Sequence, residues 1–109
     1  MYIILMRHGE AVPQTEEASN QNRSLTPKGM RQVRKSARML AHFLKENPIR
    51  IYTSPYYRTR QTAGILAEEC FAAEIHTADE LLQSSWQMVA NHIIQDGSPI
   101  ALVSHHPFL

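Results

Sequence analysis

Arg7, His8 and Gly9 follow directly on an apolar run at residues 2–6, and the chemistry of the chain starts there. A neutral imidazole serves as nucleophile or base near physiological pH, and a guanidinium offers a planar fork of donors suited to phosphate or carboxylate oxygens. A second apolar run, at residues 100–103, ends in Ser104, His105 and His106. A third run, at residues 50–53, gives way to Ser54, Pro55, Tyr56, Tyr57 and Arg58. Short apolar runs bounded by turn-forming residues read as buried strands. Two strands that both finish in histidine point to one site assembled from opposite ends of the sequence.

The intervening segments must bring those ends together. Residues 10–25 are polar, contain Pro13 and form a loop of a length typical of functional or mobile segments. Thr26 is suited to cap a helix, with Pro27 at the first helical position, where a missing N–H costs nothing. Met30, Val33, Ala37, Leu40, Ala41 and Leu44 then recur at helical spacing. Arg31, Arg34, Lys35 and Arg38 fall on the other, solvated side, and Pro48 terminates the helix. After the strand at 50–53 a second helix is expected over 56–71, with Ala63, Leu66, Ala67 and Cys70 inward. A strand at 74–77 and a loop around residues 77–80 follow. Ser84 or Ser85 caps a third helix whose apolar face is Trp86, Val89, Ala90, Ile93 and Ile94, ending at Asp96 and Gly97. The order β-α-β-α-β-α-β predicts an α/β fold, a three-layer α/β/α sandwich around a mainly parallel sheet. The first strand, apolar without alternation, is expected to be covered on both faces.

The 109 residues make one domain, 1–109, and 43% hydrophobic against 19% charged residues is enough to bury a core. A formal charge of +1 and the lack of any Lys/Arg block argue against a nucleic-acid partner. The N-terminal apolar stretch stops at Arg7, too short for a signal core or a membrane span. The single cysteine, Cys70, rules out an intrachain disulfide and reads as a structural, half-buried thiol. Together these predict a soluble, cytoplasmic protein. Pro107, Phe108 and Leu109 resemble the first turn of a further helix, so the domain is expected either to lack its C-terminal part or to have the missing element supplied by a partner, with one sheet face partly uncovered.

In a parallel sheet all strand exits share one edge, and open α/β folds bind ligands beyond that edge. Arg7, His8, Arg58 and His105 would meet there, joined by helix N-termini. Two unit charges about 4 Å apart, at an effective dielectric near 20, interact by roughly 4 kcal/mol, so such a cluster favours a dianion such as phosphate.

Four ordered motifs carry a family resemblance. Arg7-His8-Gly9-Glu10, Arg23-Ser24-Leu25-Thr26-Pro27-Lys28-Gly29, the segment from Ser54 through Arg58 to Gln61-Thr62, and Ser104-His105 resemble the histidine phosphatase superfamily, which includes phosphoglycerate mutases. The short spacing is most similar to the SixA-type phosphohistidine phosphatases. The resemblance implies that His8 is the nucleophile, its Nδ1–H held by a backbone carbonyl and its Nε2 attacking phosphorus. A phosphohistidine intermediate follows, which water hydrolyses. It also implies that Arg7, Arg58 and His105 bind the equatorial oxygens in the transition state. Arg23 becomes a further phosphate or substrate contact, and His106 falls just past the site. No cofactor and no metal ion is implied.

The general acid is less marked. Glu80 is the first candidate and Asp79 the second, against the reading that both belong to a polar loop. A positioned acid contributes about 10²–10⁴-fold when the leaving group is an alkoxide. Imidazole leaves a phosphoramidate more readily, so a weak acid favours phosphohistidine. The expected partner is therefore a protein bearing phosphohistidine, or a small phosphate ester. The alternatives are a phosphoglycerate-mutase-like or small-molecule phosphomonoesterase activity and a non-catalytic phosphate-binding module. A zinc site of His8, His105 and His106 would lack a carboxylate or Cys at ligand spacing. His42, His76 and His92 lie away from the strand exits and read as surface or packing residues; Tyr56 and Tyr57 could line a substrate rim or pack.

Overall fold

Aliphatic and β-branched residues in runs of four or five extend into four short strands, and two amphipathic stretches between them form helices. The computed structural model describes residues 3–15, 19–71, 73–79 and 99–104. The elements are β1 (Ile3–Arg7), α1 (Pro27–Leu44), β2 (Arg50–Thr53), α2 (Tyr57–Glu69), β3 (Glu74–Thr77) and β4 (Ile100–Ser104), with a short 3₁₀ turn at Asn20–Asn22. The strands pair in the order β1-β4-β2-β3, and every pairing is parallel. All strand exits therefore lie along one edge. The connections β1-α1-β2 and β2-α2-β3 step across the sheet in the same direction, and right-handed crossovers then place both helices on one face.

The register shows how that face is built. Ile4, Ala101 and Ile51 lie in one row across β1, β4 and β2, and Met6, Val103 and Thr53 in the next. Ala37 and Leu44 of α1, Ala63 and Leu66 of α2, and Cys70 just past it pack onto these rows. Ala37, Ala63 and Ala101 are all fully buried, and their small side chains let the helices approach the sheet closely. The described residues thus supply the sheet and one helical layer of the α/β sandwich.

The opposite face corrects one expectation. Ile100 and Leu102 of β4 are buried there, but Ile3 and Leu5 of β1 are 41% and 51% exposed. β1 is covered on one face rather than two. It lies at the edge of the described sheet, and cover over the central β4 does not extend to it. The residues expected to form the third helix lie outside the described ones.

Local chemistry sets both ends of α1. The Thr26 hydroxyl accepts the Gly29 N–H at 2.9 Å and donates to Glu10 Oε2 at 2.8 Å. Pro27 opens the helix as anticipated. The helix stops at Leu44, before Pro48, because Lys45 takes φ 56°. Asn47 then donates both its backbone N–H and its Nδ2–H to the Leu44 carbonyl. Met30, expected inside, is 39% exposed, while Gly29 beside it is buried. A Cβ on Gly29 would collide with the Glu10 carbonyl oxygen, so the first turn of α1 is pressed onto the loop that leaves β1, and Met30 turns outward.

The basic side of α1 is only partly a solvated face. Arg34 bridges Glu68 and Glu69, each at 2.9 Å, and Arg38 reaches Glu69 at 3.4 Å, which ties α1 to α2. No helix among the described residues is long and apolar enough to cross a membrane.

Candidate active site

His8 is the first residue past β1. Its backbone N–H donates to the Ser104 carbonyl at 3.2 Å, prolonging a ladder in which Arg7 faces Ser104. The two ends of the chain therefore meet at one rim. His8 Nδ1 lies 2.6 Å from the Gly9 carbonyl oxygen. Arg58 Nε–H donates to His8 Nε2 at 3.2 Å. A carbonyl can only accept and a guanidinium can only donate, so the ring proton sits on Nδ1 and Nε2 carries the lone pair. That is the tautomer a nucleophilic imidazole requires.

The turn before α2 delivers Arg58 to this nitrogen. Ser54, Thr53 and Thr59 are fully buried, and the Ser54 and Thr59 hydroxyls are 2.7 Å apart. Thr59 also lies within hydrogen-bond reach of the Ser54 and Tyr56 carbonyls. This buried knot holds the start of α2, so that Arg58, its second residue, projects toward His8. Thr62, one turn on, accepts the Gly9 N–H at 3.3 Å and donates to the Arg58 carbonyl at 2.9 Å. Gln61 Oε1 accepts the Leu25 N–H at 2.6 Å and anchors the end of the long loop to α2. That loop is not featureless: Ala11 pairs with Leu25, and the Asn20 carbonyl accepts Arg58 Nη1–H at 2.6 Å.

Arg58 is a buried cation, 4% exposed. Burial and then the charge of Arg23 push its guanidinium below the ordinary arginine value, with Tyr56 acting the other way. The Tyr56 ring centroid lies 4.7 Å from Cζ. Among the described residues no carboxylate offsets the Arg58 charge. A buried cation without a counter-charge is costly, and a bound anion removes that cost.

Arg23, from the long loop, donates Nη1–H to the Val12 carbonyl at 3.3 Å, and its Nε is buried with no partner among the described residues. Its charge acts on Arg58, which it helps to push below the ordinary arginine value. Arg7 ends β1, exposed, and makes no side-chain hydrogen bond among the described residues. A cavity of about 410 Å³ lies between β1 and α1, lined mostly by residues of those two elements such as Ile4, Leu5, Val33 and Leu40, and it also reaches Arg7, His8 and Gly9. Asp79 is exposed two residues past β3, on the same edge of the sheet. His105 and Glu80 lie outside the described residues.

Among the described residues, the other histidines, His42 and His76, and the cysteine stay clear of this edge, while His92 and His106 lie outside the described residues. His42 is exposed. His76 pairs with Glu74 at 3.2 Å and stacks on Tyr52 at 5.2 Å, within the sheet rather than at its exit edge. Cys70 is buried more fully than expected, and burial pushes its thiol up, which leaves it inert at neutral pH. Sequence reading assigned no role to Gln61 or Thr62, although both stand in the Arg58 motif. It had no signal for Asn20, which acts through its backbone carbonyl. Among the described residues no group of three His, Cys, Asp or Glu side chains could hold a metal ion.

Comparison with known proteins adds to this geometry. The family model of the histidine phosphatase superfamily (branch 1) matches residues 3–100. No curated protein sequence gives a match. Among solved structures, SixA of Agrobacterium tumefaciens superposes with a TM-score of 0.82 at 21% identity, over 97% of this chain and 70% of that one. The protein histidine phosphatase SixA complexed with tungstate gives 0.73 at 27% identity, over 99% of this chain and 71% of that one. Phosphoglycerate mutase of Plasmodium falciparum gives 0.68 at 19% identity, over 97% of this chain and 62% of that one.

Proposed function

The chain belongs to the histidine phosphatase superfamily, and from that premise we propose that it is a phosphatase whose His8 receives the phosphoryl group on Nε2. One observation carries the reading: the His8 tautomer, with Nδ1–H held on the Gly9 carbonyl and a lone pair on Nε2 facing the buried Arg58. In the first step Nε2 attacks phosphorus in line, the N–P bond forms and the bond to the leaving group breaks. In the second, water attacks phosphorus, the N–P bond breaks, and the imidazole returns to its neutral form with release of inorganic phosphate. Arg58, with Arg7, Arg23 and His105, binds the equatorial oxygens and stabilises their charge in both steps. No metal ion or cofactor enters the scheme.

Protein phosphohistidine is the proposed substrate class. Its leaving imidazole needs less help from an acid than an alkoxide does, which suits a site whose acid, Glu80 or else Asp79, has no marked motif around it. The likeness to a protein histidine phosphatase that binds tungstate, a tetrahedral oxyanion, supports the same reading. The single cysteine supports a cytoplasmic setting.

The test is turnover by wild type and His8→Ala on a phosphohistidine-bearing protein, on an aryl phosphate and on phosphoglycerate. Wild type should release phosphate from the first fastest and form an acid-labile phosphoenzyme, and the variant should do neither. Equal slow rates for the two proteins would leave only an anion-binding module. Faster isomerisation of phosphoglycerate than hydrolysis would make the protein a mutase.

A further inference from the structure

We infer that Tyr56 is a positioning residue for Arg58: its ring and the Asn20 carbonyl together aim one edge of the guanidinium at the phosphoryl group on His8. The inference rests on the catalytic reading of His8 and Arg58 above. Three contacts constrain the Arg58 head group. Its Cζ lies over the Tyr56 ring, 4.7 Å from the ring centroid, which fixes where the head group sits. Nη1–H donates to the Asn20 carbonyl at 2.6 Å, which sets how the head group is turned. Nε–H then points at His8 Nε2 from 3.2 Å.

Nη1 lies on the side of a guanidinium away from its Nε–H. With Nη1 engaged by Asn20, the Nε and Nη2 donors form the edge that faces the reactive nitrogen. That edge is the bidentate fork suited to two phosphoryl oxygens. Arginine side chains have many rotamers, and a fork aimed before substrate arrives loses less freedom in the transition state. The neighbouring pair is an internal contrast. Arg60 lies over the Tyr57 ring at 5.7 Å, but both residues are exposed. Two adjacent tyrosines thus hold two arginines, one inside the site and one in solvent.

The experiment compares wild type with Tyr56→Phe, Tyr56→Leu, Tyr57→Leu and His8→Ala, reading kcat and KM on an aryl phosphate and vanadate binding by calorimetry. A desolvated cation–π contact predicts that Tyr56→Leu lowers kcat about tenfold and weakens vanadate, a five-coordinate mimic, by a similar factor, with KM changed less than about threefold. Tyr56→Phe keeps the ring face and should retain both properties; Tyr57→Leu should match wild type. Vanadate affinity separates the same outcomes if turnover is too slow to follow. The inference is overturned if Tyr56→Leu behaves as wild type, if Tyr56→Phe is impaired equally, or if Tyr57→Leu loses as much. Activity that survives in His8→Ala would instead sink the catalytic reading itself, whatever Tyr56 does.

Discussion

Arg58 directs its Nε–H at the Nε2 of His8 from 3.2 Å, although the two residues are 50 positions apart in the chain. A guanidinium has no lone pair to offer, so this contact can exist only with the imidazole nitrogen unprotonated. The buried cation, which no carboxylate among the described residues offsets, is a favourable place for an anion. In the proposed mechanism a phosphoryl group would draw the Arg58 donors from the imidazole to its own oxygens and open Nε2 for attack.

Replacing Arg58 by lysine separates charge from shape. Lys keeps a positive charge but lacks the planar fork, and loss of directed donors to a developing oxyanion costs about 10²–10³-fold in kcat. Steady-state kinetics on an aryl phosphate should show Arg58→Lys reduced by that order. Activity within a few-fold of wild type would mean that a point charge suffices.

Gly29 of α1 and Gly64 of α2 should respond oppositely to a methyl group. At Gly29 the new Cβ would run into the Glu10 carbonyl oxygen, whereas at Gly64 nothing lies within 4 Å. Backbone cannot yield as a side-chain tip can, so Gly29→Ala should destabilise by about 1–3 kcal/mol, and it should also disturb the segment that carries His8. Gly64→Ala should be neutral or stabilise by up to about 1 kcal/mol, the helix-propensity difference. Urea unfolding of both variants checks the contrast, and equal midpoints would refute the packing argument.

Acid should loosen the α1–α2 seam. Glu69 is held below the ordinary carboxylate value, chiefly by the hydrogen bond from Arg34 and with help from Arg38, while burial works the other way. Arg34 is raised in turn, mainly by Glu69 and then Glu68. The unfolded chain takes up its proton at Glu69 at higher pH than the folded one, so this contribution is present above the ordinary carboxylate value. It is lost as pH falls through the lowered folded one. Thermal melts of wild type and Glu69→Gln should differ most near neutral pH and converge in acid. A difference that stays constant down the acid range would show that the ion pairs do not carry it.

Much of the scaffold is legible in the chain because it depends on neighbours in sequence. Thr26 and Pro27 start α1 through contacts within one turn, and β2 and β3 occupy the residues that their composition marks. Polar Arg7 and Ser104 extend β1 and β4 beyond their apolar runs, because ladder hydrogen bonds come from the backbone and not from side-chain type. The exposure of Met30, Ile3 and Leu5 is not legible. It depends on which surfaces approach from elsewhere, and apolar periodicity records only that a side chain can be buried, not that something covers it.

The site divides along the same line. Residue types and their order alone determine that an imidazole, two arginines and a capped helix stand at strand exits, because those are properties of local sequence and of parallel α/β connectivity. Which His8 nitrogen carries the proton, which edge of Arg58 faces it, and the parts played by the Asn20 carbonyl and the Tyr56 ring were decided only by the folded chain. Each of these is an angle and a distance between groups far apart in sequence, and such quantities come into being only when the sheet closes and burial strips water from the guanidinium.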